Sequence, residues 1–477
     1  MPLEDVAERS RAAPFDCVVV GAGSAGLTAA RTLLERQLRV AVLEAGPAPL
    51  LTHIFNTELR FDRQLSDNIR SQNRYSPTLQ TGAPFGQNFS CLGGRGLFWN
   101  GSSPQTRAHD FDGWPFKLKD LDPFYIWARK QFRVHTQFGQ SRMARSLIGD
   151  LTKAGLAAEA GPFAADTPLI PPGTLSAGVA SGLGVFLRGC GRAITAGAAQ
   201  IATRVRVDQV LLSNRDGACG VTATDRATGT QREVRARSVI LAAGGVESIR
   251  IAALSKIPDD SGRIGIGLQD HIFYRSYHDG PQRYDPTTPE VAAVHIPAVS
   301  QSSHQWEIHA PGRRFFTVDD GTPWHPAPGS AYSLMIRSFA PTTKHDANRV
   351  EVHDGDLGSA VIHFAYTDDD RAQMDAMRTQ SKQIAHVLGL TIAEEAVDNP
   401  GSSFHEAGGL DMGTDPATSV TQSHGGFHRV SNLVCVDAAA FPRIGAVNPH
   451  LTIVAVSRRQ AGLLADRLAR TTRAGQR

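Results

Sequence analysis

The chain has 477 residues, of which 41% are hydrophobic and 20% are charged, and its formal net charge is only +3. This length exceeds that of one ordinary compact core and predicts two or three domains. The composition is typical of a soluble globular protein and excludes general disorder. Because the lysines and arginines are scattered, the charge pattern predicts no nucleic-acid partner.

The cysteines and the N-terminal segment both indicate a reducing compartment. The five cysteines are odd in number, widely spaced and without a CxxC pair. This pattern argues against a disulfide framework and against a zinc site, so no metal site is predicted. Residues 1–14 contain no apolar signal segment, and no apolar run approaches the ~20 residues that cross a bilayer. We therefore expect a cytoplasmic protein with no membrane span.

Residues 15–45 contain, in order, the elements that a dinucleotide site requires. A short apolar strand at Cys17–Val20 precedes GAGSAG at 21–26, a helix to about residue 36, and a second strand at 39–43 that ends at Glu44. In such a turn the first glycine permits the sharp bend, the second lets a pyrophosphate approach the backbone, and the third lets the helix pack on the strand. The helix N-terminus offers free N–H groups to the phosphates.

The acid that ends the second strand narrows the choice of nucleotide. Glu44 can accept a hydrogen bond from a ribose hydroxyl, whereas the 2′-phosphate of NADP favours an arginine at this place. The motif therefore disfavours NADP and leaves NAD and FAD open.

The middle of the chain predicts a nucleotide-binding domain that is assembled from distant segments. SCLGGRGLFWNGSSP at 90–104 is a glycine-rich loop, either a surface loop or one whose N–H groups face a flat or anionic ligand, and its two aromatic residues favour burial. Residues 201–212, 220–224 and 233–237 alternate like the strands of a small meander. A strand at 238–241 and the glycines of 242–245 then precede a helix that begins near Glu247, which is a second strand–glycine–helix turn.

The remaining residues predict an antiparallel sheet and two helices. Short β-like runs such as 331–338 and 360–366 are separated by turn-rich segments, and Asp368–Leu388 has helical periodicity. Near the C-terminus, Asn448 and Pro449 precede apolar residues at helical spacing. Asparagine is a preferred helix N-cap and proline is favoured at the first helical position, so a helix over 449–470 with Asn448 as its cap is predicted.

Together these segments resemble the glucose–methanol–choline (GMC) family of FAD-dependent oxidoreductases. The matching segments are VVVGAGSAGLTAARTL and VLEAG within 18–46, LGGRGLFWNG at 92–101, VILAAGGVESIRIAALS at 239–255, IGLQDH at 266–271, FHEAGGLDMG at 404–413 and NLVCVDAAAFPRIGAVNPHLTIVAV at 432–456. The region 272–400 has no family motif, as expected if it carries substrate specificity.

The resemblance implies an α/β fold, α+β overall. A Rossmann-like FAD-binding domain from discontinuous segments is expected over 1–145, 186–270 and 401–477. A substrate-binding domain with an antiparallel sheet is expected over 146–185 and 271–400.

The resemblance also implies the residues of the FAD site. The first glycine turn would hold the diphosphate, Glu44 the adenosine ribose, and the backbone of Val207 the adenine, while the loop 93–101 would pass beside the flavin. Attachment is expected to be non-covalent, because the loop position that carries a linking histidine in one class of the family holds Phe98 here. The cofactor-binding positions are Gly21, Gly23, Ser24, Ala25, Gly26, Glu44, Gly93, Gly94, Asn100, Gly101, Val207, Ala243, Asp437, Asn448 and Pro449.

Two residues match the family's catalytic pair. His405 corresponds to the catalytic histidine and Asn448 to the second position. Oxidation of an alcohol removes a proton from oxygen and a hydride from carbon, and flavin N5 takes the hydride. A histidine can accept that proton, and an asparagine amide can donate to the developing alkoxide. Without the resemblance, His405 would be interpreted as a solvated loop histidine and Asn448 as a cap only. Three further histidines lie nearby in sequence: His424, His428 and His450.

The implied function is FAD-dependent oxidation of a CH–OH group to a carbonyl, with O₂ or another electron acceptor reoxidising the flavin. The LFWN loop and residues 114–125 resemble the sugar-oxidising, pyranose-oxidase-like relatives, which favours a sugar, glycoside or other alcohol as the small-molecule substrate. Two alternatives stay open: a lyase of the same fold without net redox chemistry, and a flavoprotein without enzymatic activity.

Overall fold

A computed structural model describes residues 1–56, 78–81, 90–165, 179–213, 217–279, 292–299, 303–310, 333–353 and 360–474. Within these ranges the α-helices are α1 (Leu3–Ala12), α2 (Ser24–Leu34), α3 (Asp122–Gln131), α4 (Arg142–Lys153), α5 (Gly182–Thr195), α6 (Gly245–Leu254), α7 (Asp368–Leu388) and α8 (His450–Ala474). None of these helices is long and apolar enough to cross a membrane.

The strands in the same ranges form two main sheets and several smaller ones. They are β1 (Cys17–Val20), β2 (Val40–Glu44), β3 (Thr78–Thr81), β4 (Val134–His135), β5 (Glu159–Ala160), β6 (Phe163–Ala164), β7 (Ala199–Thr203), β8 (Val205–Leu212), β9 (Ala218–Asp225), β10 (Gln231–Arg235), β11 (Val239–Leu241), β12 (His271–Asp279), β13 (Ala292–Ile296), β14 (Gln305–Ala310), β15 (Ser333–Pro341), β16 (Arg349–Val352), β17 (Ala360–His363), β18 (Thr391–Val397), β19 (Met412–Gly413), β20 (Thr421–Gln422) and β21 (Leu433–Cys435).

The first main sheet is parallel and has the strand order β21-β11-β1-β2-β7. Its strands are short and apolar because both faces are covered. On β1, Cys17 and Val19 belong to the cluster formed with α2, α5 and α8, whereas Val18 and Val20 belong to the cluster that includes the meander β8–β10. The sheet thus brings together segments from both ends and the middle of the chain, which confirms the predicted discontinuous domain.

The second main sheet has the order β18-β12-β15-β14-β13-β5 and is antiparallel. One face packs on α4 and α7 through apolar side chains that include Ile308 and Ile336. The alternate residues point to the opposite face, which faces the first sheet's glycine turns across a cleft. The predicted α/β fold with an antiparallel substrate sheet is confirmed.

Two sequence predictions need correction in detail, and a third lies partly outside the described residues. The single strand expected over 201–212 is broken at Arg204, whose backbone lies in the left-handed region (φ 61°), so that β7 joins the parallel sheet and β8 begins the meander. The strand expected at 360–366 is shorter and belongs to a separate three-stranded sheet with β16 and β3. The strand expected at 331–338 is β15, and residues 331–332 lie outside the described residues.

The apolar face of the antiparallel sheet should contribute strongly to stability. Ile308 is fully buried between the sheet and its helices, whereas Ile126 is 70% exposed. We expect Ile308→Ala to lower the free energy of unfolding by about 2–5 kcal/mol, because it removes buried methyl groups and leaves a cavity. Ile126→Ala, the matched control, should change it by less than about 0.5 kcal/mol. Urea denaturation measures both values, and equal effects would contradict this packing.

Candidate active site

A cavity of about 840 Å³ separates the glycine turns of the parallel sheet from the polar face of the antiparallel sheet. Most of the positions predicted to bind a cofactor line it: Gly21, Gly23, Ser24, Ala25, Glu44, Gly94, Asn100, Val207, Ala243, Asp437, Asn448 and Pro449. The other three, Gly26, Gly93 and Gly101, lie outside its lining. His405 lines the same cavity as Asn448.

The first glycine turn has room for a ligand at only one of its glycines. A Cβ atom at Gly26 would lie 2.0 Å from the carbonyl oxygen of Gly21, and one at Gly21 would lie 2.5 Å from that of Ala242. A Cβ at Gly23 would meet nothing within 4 Å. The two crowded glycines therefore allow close packing of helix and strands, and Gly23 keeps open the space in front of the N-terminus of α2. This cradle fits a dinucleotide diphosphate.

Glu44 is buried at the end of β2, and local N–H groups orient it. Its two carboxylate oxygens accept hydrogen bonds from the backbone nitrogens of Ala22 and Gly46, both at 2.8 Å. Burial raises the pKa of Glu44 to about 7 despite these bonds. A ribose hydroxyl that donates to this carboxylate would favour its charged form.

The second glycine turn is tied to the C-terminal segment through Asp437. The Oδ2 atom of Asp437 accepts from the backbone nitrogen of Gly244 at 2.9 Å and from Oγ of Ser248 at 2.6 Å. Burial raises the pKa of the Asp437 carboxyl. Asp437 thereby holds the turn after β11, including Ala243, at the cavity wall.

The glycine-rich loop packs directly on the first turn, so the surface-loop alternative is wrong. Gly94 has a φ of 55°, and a Cβ there would lie 2.9 Å from the Cα of Gly23. Arg95 of this loop forms an ion pair with the buried Glu406, and its Nη1 donates to the Phe404 carbonyl at 2.8 Å. The loop thus contacts the residues on both sides of His405, the Phe404 backbone and the Glu406 side chain.

The ring of His405 is oriented by a second histidine. The Nδ1 atoms of His405 and His271 are 2.7 Å apart, and the Nε2 of His271 lies 2.8 Å from the Gly445 carbonyl oxygen. A carbonyl can only accept, so Nε2 of His271 carries a proton. Burial lowers the pKa of His271 to about 4, which keeps the ring neutral and makes its Nδ1 an acceptor. The proton in the His271–His405 bond therefore belongs to His405.

This assignment leaves the other nitrogen of His405 as a free base. Its Nε2 has no hydrogen-bond partner among the described residues, and His405 lines the cavity. Burial, together with His271 and Arg337, lowers the pKa of His405 well below its ordinary value, so the ring is neutral near pH 7. The arrangement presents an imidazole lone pair to the cavity.

Asn448 lies in the cavity wall, but its side chain does not cap a helix. Its Oδ1 accepts from Nε2 of Gln305 on β14 at 2.9 Å, and the first hydrogen bond of α8 runs from Ile453 to the Pro449 carbonyl. The predicted side-chain cap is therefore wrong, because Gln305 occupies the oxygen that would have formed it. The Nδ2 group of Asn448 has no partner among the described residues.

The other histidines named from the sequence do not share the position of His405. His424 and His428 are absent from the cavity lining; they contact Arg467 and Ser419, respectively. His450 also lines the cavity, but it stacks on Trp99 with ring centroids 3.7 Å apart and bonds to Oγ of Ser24 at 2.9 Å. Burial lowers its pKa to about 3.

The sequence analysis missed the residues that orient the pair. IGLQDH was identified only as a family segment, yet Asp270 accepts from Oγ of Ser403 and from the backbone nitrogen of Gly401, and His271 bonds to His405. Gln305 carried one usable signal, since polar residues alternate with apolar ones in QWEIHA and thereby predict a polar strand face.

Comparison with known proteins agrees with this geometry. The family model described as GMC oxidoreductase matches residues 191–273 and 344–457, through its N-terminal and C-terminal domains, and an FAD binding domain model matches residues 16–53. The chain belongs to the GMC oxidoreductase family. The segment that matches the FAD binding domain model contains the first glycine turn.

Relatives of this GMC oxidoreductase match it along nearly the whole chain. Paromamine 6′-oxidase of Streptomyces fradiae is 26% identical over 95% of this chain and 92% of its own. C-glycoside 3-oxidase of Microbacterium trichothecenolyticum is 25% identical over 96% and 97% of the two chains. 2-methyl-1,2-propanediol dehydrogenase of Mycolicibacterium austroafricanum is 23% identical over 95% and 96%.

Solved structures of GMC-type oxidases share the fold. An Aspergillus oryzae formate oxidase variant superposes with a TM-score of 0.69 at 15% identity, covering 95% of this chain and 98% of that one. Pyridoxine 4-oxidase from Mesorbium loti superposes with a TM-score of 0.66 at 19% identity, covering 94% and 98%. At these identities the similarity concerns the fold alone.

Alanine substitutions at two glycines of the first turn should separate an effect on folding from an effect on FAD binding. Gly26→Ala places a methyl group against the Gly21 carbonyl, so we expect a lower melting temperature and little bound flavin. Gly23→Ala fits the apoprotein, and its backbone is extended (φ −75°), so we expect an unchanged apoprotein melting temperature. Its methyl group would occupy the diphosphate space, and FAD affinity should fall at least about tenfold, or ~1.4 kcal/mol.

Thermal melting of both apoproteins and fluorescence titration with FAD measure these effects. Wild-type FAD affinity in Gly23→Ala would contradict the placement of the diphosphate.

Proposed function

We propose that the protein oxidises a CH–OH group of a sugar, glycoside or other alcohol to a carbonyl, with FAD as cofactor and His405 as the base. One observation carries this proposal: the Nε2 lone pair of His405, fixed by His271, and the amide of Asn448 both face one cavity that the FAD-binding glycine turn also lines. Two relatives are named as oxidases of paromamine and of C-glycosides, which supports a sugar-derived substrate.

His405 and Asn448 would act on different atoms of the substrate hydroxyl. Nε2 of His405 accepts the hydroxyl proton, an effect typically worth about 10²–10⁴ in rate. Nδ2 of Asn448 donates to the oxygen as negative charge develops on it, in the manner of an oxyanion-hole donor. Bound FAD supplies the acceptor for the hydride that leaves carbon. The lowered pKa of His405 keeps the base unprotonated at neutral pH.

The cofactor would be held by the residues that line the cavity's glycine-rich side. The turn around Gly23 would take the diphosphate, Glu44 the adenosine ribose and the backbone of Val207 the adenine, while Asp437 and Pro449 would hold the ribityl and pyrimidine end. We expect FAD to be non-covalent because Phe98 cannot form a covalent bond to it.

The opposite wall of the cavity suits a polyhydroxylated ring. Phe273, Phe339 and Phe404 offer aromatic surfaces, while Arg337 and the ion pair of Arg275 with Asp398, at 3.1 Å, offer polar groups. Aromatic faces pack against the C–H face of a sugar and charged groups bond to its hydroxyls. O₂ or another acceptor would then reoxidise the flavin.

Anaerobic reduction of the bound flavin tests the function and the base together. Mixing the holoprotein with sugars, glycosides and simple alcohols should bleach the oxidised-flavin absorbance with at least one of them. His405→Ala should bind FAD yet be reduced about 10²–10⁴ times more slowly, because the proton acceptor is lost. His428→Ala, a histidine outside the cavity lining, is the matched control and should behave like wild type.

Equal reduction rates in His405→Ala and wild type would refute the base. Product release without any bleaching would favour a lyase instead.

The pH dependence of that reduction should report the lowered pKa of His405. The base acts only when unprotonated, so the rate should fall as pH falls through its pKa. Because burial places that pKa below the ordinary value of about 6.5, the acid-side fall should lie below pH ~6.5. Stopped-flow reduction across pH measures it, and a midpoint clearly above 6.5 would contradict a buried neutral base.

A further inference from the structure

A row of charged and polar side chains crosses the antiparallel sheet on its cleft face. Five residues from five neighbouring strands are direct cross-strand partners, in the order Arg275, Arg337, Glu307, His295 and Glu159. Arg337 is buried and donates through Nε to Glu307 at 2.6 Å, and Ser102 donates to the other Glu307 oxygen at 2.7 Å. His295 and Glu159, at the far end of this row, have no part in the roles given above to His405 and Asn448.

A series of hydrogen bonds through Gln305 and His295, here called the relay, links Glu159 at that far end to Asn448. Nε2 of Gln305 donates to Oδ1 of Asn448 at 2.9 Å, and Oε1 of Gln305 lies 2.8 Å from Nε2 of His295. Nδ1 of His295 lies 3.0 Å from Oε1 of Glu159. Gln305 and His295 are buried, whereas Glu159 is half exposed and also accepts from Arg107. The relay therefore runs from the cavity wall to the surface.

The donors and acceptors of these groups indicate the direction of the hydrogen bonds in the relay. A carboxylate can only accept, so Nδ1 of His295 carries a proton. Because Nε2 of Gln305 donates to Asn448, the Gln305 oxygen must accept from Nε2 of His295. Asn448 accepts through its oxygen and keeps its N–H groups for the cavity.

Charged and polar groups surround His295 on both sides. Glu159 faces it from β5 and also contacts Arg107, while Glu307 and His309 lie on β14 and Arg337 lies on β15. Glu307 is already paired with Arg337, so Glu159 is the carboxylate that His295 contacts. The hydrogen bond with His295 lowers the pKa of Glu159.

We propose that Gln305 and His295 are positioning residues that hold Asn448 with its N–H groups towards the substrate oxygen. The proposal rests on the proposed oxidation, in which Asn448 is the donor. Neither positioning residue touches the reacting atoms. Their loss should therefore lower the limiting rate and leave the substrate concentration for half-maximal rate nearly unchanged.

A double-mutant cycle separates positioning from a general structural effect. The variants are Gln305→Leu, Asn448→Ala and the double variant, with Gln383→Leu on the exposed face of α7 as matched control. Removal of an oriented donor costs about 10²–10³ in rate, and loss of its orientation should cost about tenfold or more. Because Gln305 acts through Asn448, the double variant should be no slower than Asn448→Ala alone.

The limiting anaerobic reduction rate is the readout, with flavin content and melting temperature as controls for folding. A wild-type rate in Gln305→Leu, or losses that multiply in the double variant, would overturn the positioning role.

Substitution of His295 tests the second positioning residue and remains usable if Gln305→Leu does not fold. His295→Leu removes the partner of the Gln305 oxygen and should lower the limiting rate. His295→Gln keeps an N–H donor and should restore part of that rate. A wild-type rate in His295→Leu, or equal rates in the two variants, would overturn the positioning role of His295.

A failure of the proposed oxidation is distinguishable from a failure of this inference. If no sugar or alcohol reduces the wild-type flavin, the proposed oxidation fails. If the wild-type flavin is reduced, and Gln305→Leu and His295→Leu are reduced at the same limiting rate as the wild type, only this inference fails.

Discussion

The hydrogen bond between Gln305 and Asn448 joins the antiparallel sheet to the N-terminal end of the last helix at the wall of the cavity. An amide has a donor end and an acceptor end that differ little in shape, so only its partners decide which end faces a substrate. Leaving a buried donor or acceptor unpaired costs about 1–3 kcal/mol. The direction of this one bond therefore decides which end of the Asn448 amide is left for the cavity.

The same constraint acts on the histidine of the site. An imidazole can expose either a proton or a lone pair, and the bond from His405 to His271, itself anchored on the Gly445 carbonyl, selects the lone pair. The proposed base and the proposed donor are thus each held by a buried neighbour. Such pre-organisation places the donor before the reaction begins, which is where most of the benefit of an oxyanion-type contact arises.

The sequence predicted the glycine turns well because their physics is local. Gly21 has a φ of 95° and Gly26 packs on the Gly21 carbonyl, so these two requirements lie within one strand–turn–helix unit. The relay from Asn448 to Glu159 depends instead on the register of strands that are distant in the chain. Local periodicity gives the polar face of β14, but it does not say which strand lies next to it.

The cap prediction failed for a related reason. Asn448 and Pro449 have the local pattern of a helix start, and the helix does begin there. The tertiary bond from Gln305 takes the side-chain oxygen that a cap would use, so a local preference is overridden by a partner far away in the sequence. The extents of the two predicted domains, the cytoplasmic location and the non-covalent state of FAD stay predictions.

The most direct measurement follows hydride loss from the substrate. The sugar or alcohol that bleaches the holoprotein fastest is prepared with deuterium on the carbon that carries the reacting hydroxyl, and its anaerobic reduction rate is compared with that of the unlabelled compound. We expect slower bleaching with the deuterated substrate and formation of the carbonyl product in step with loss of the oxidised-flavin absorbance. Flavin absorbance that is unchanged by every sugar and alcohol would contradict the assignment of this cavity to alcohol oxidation.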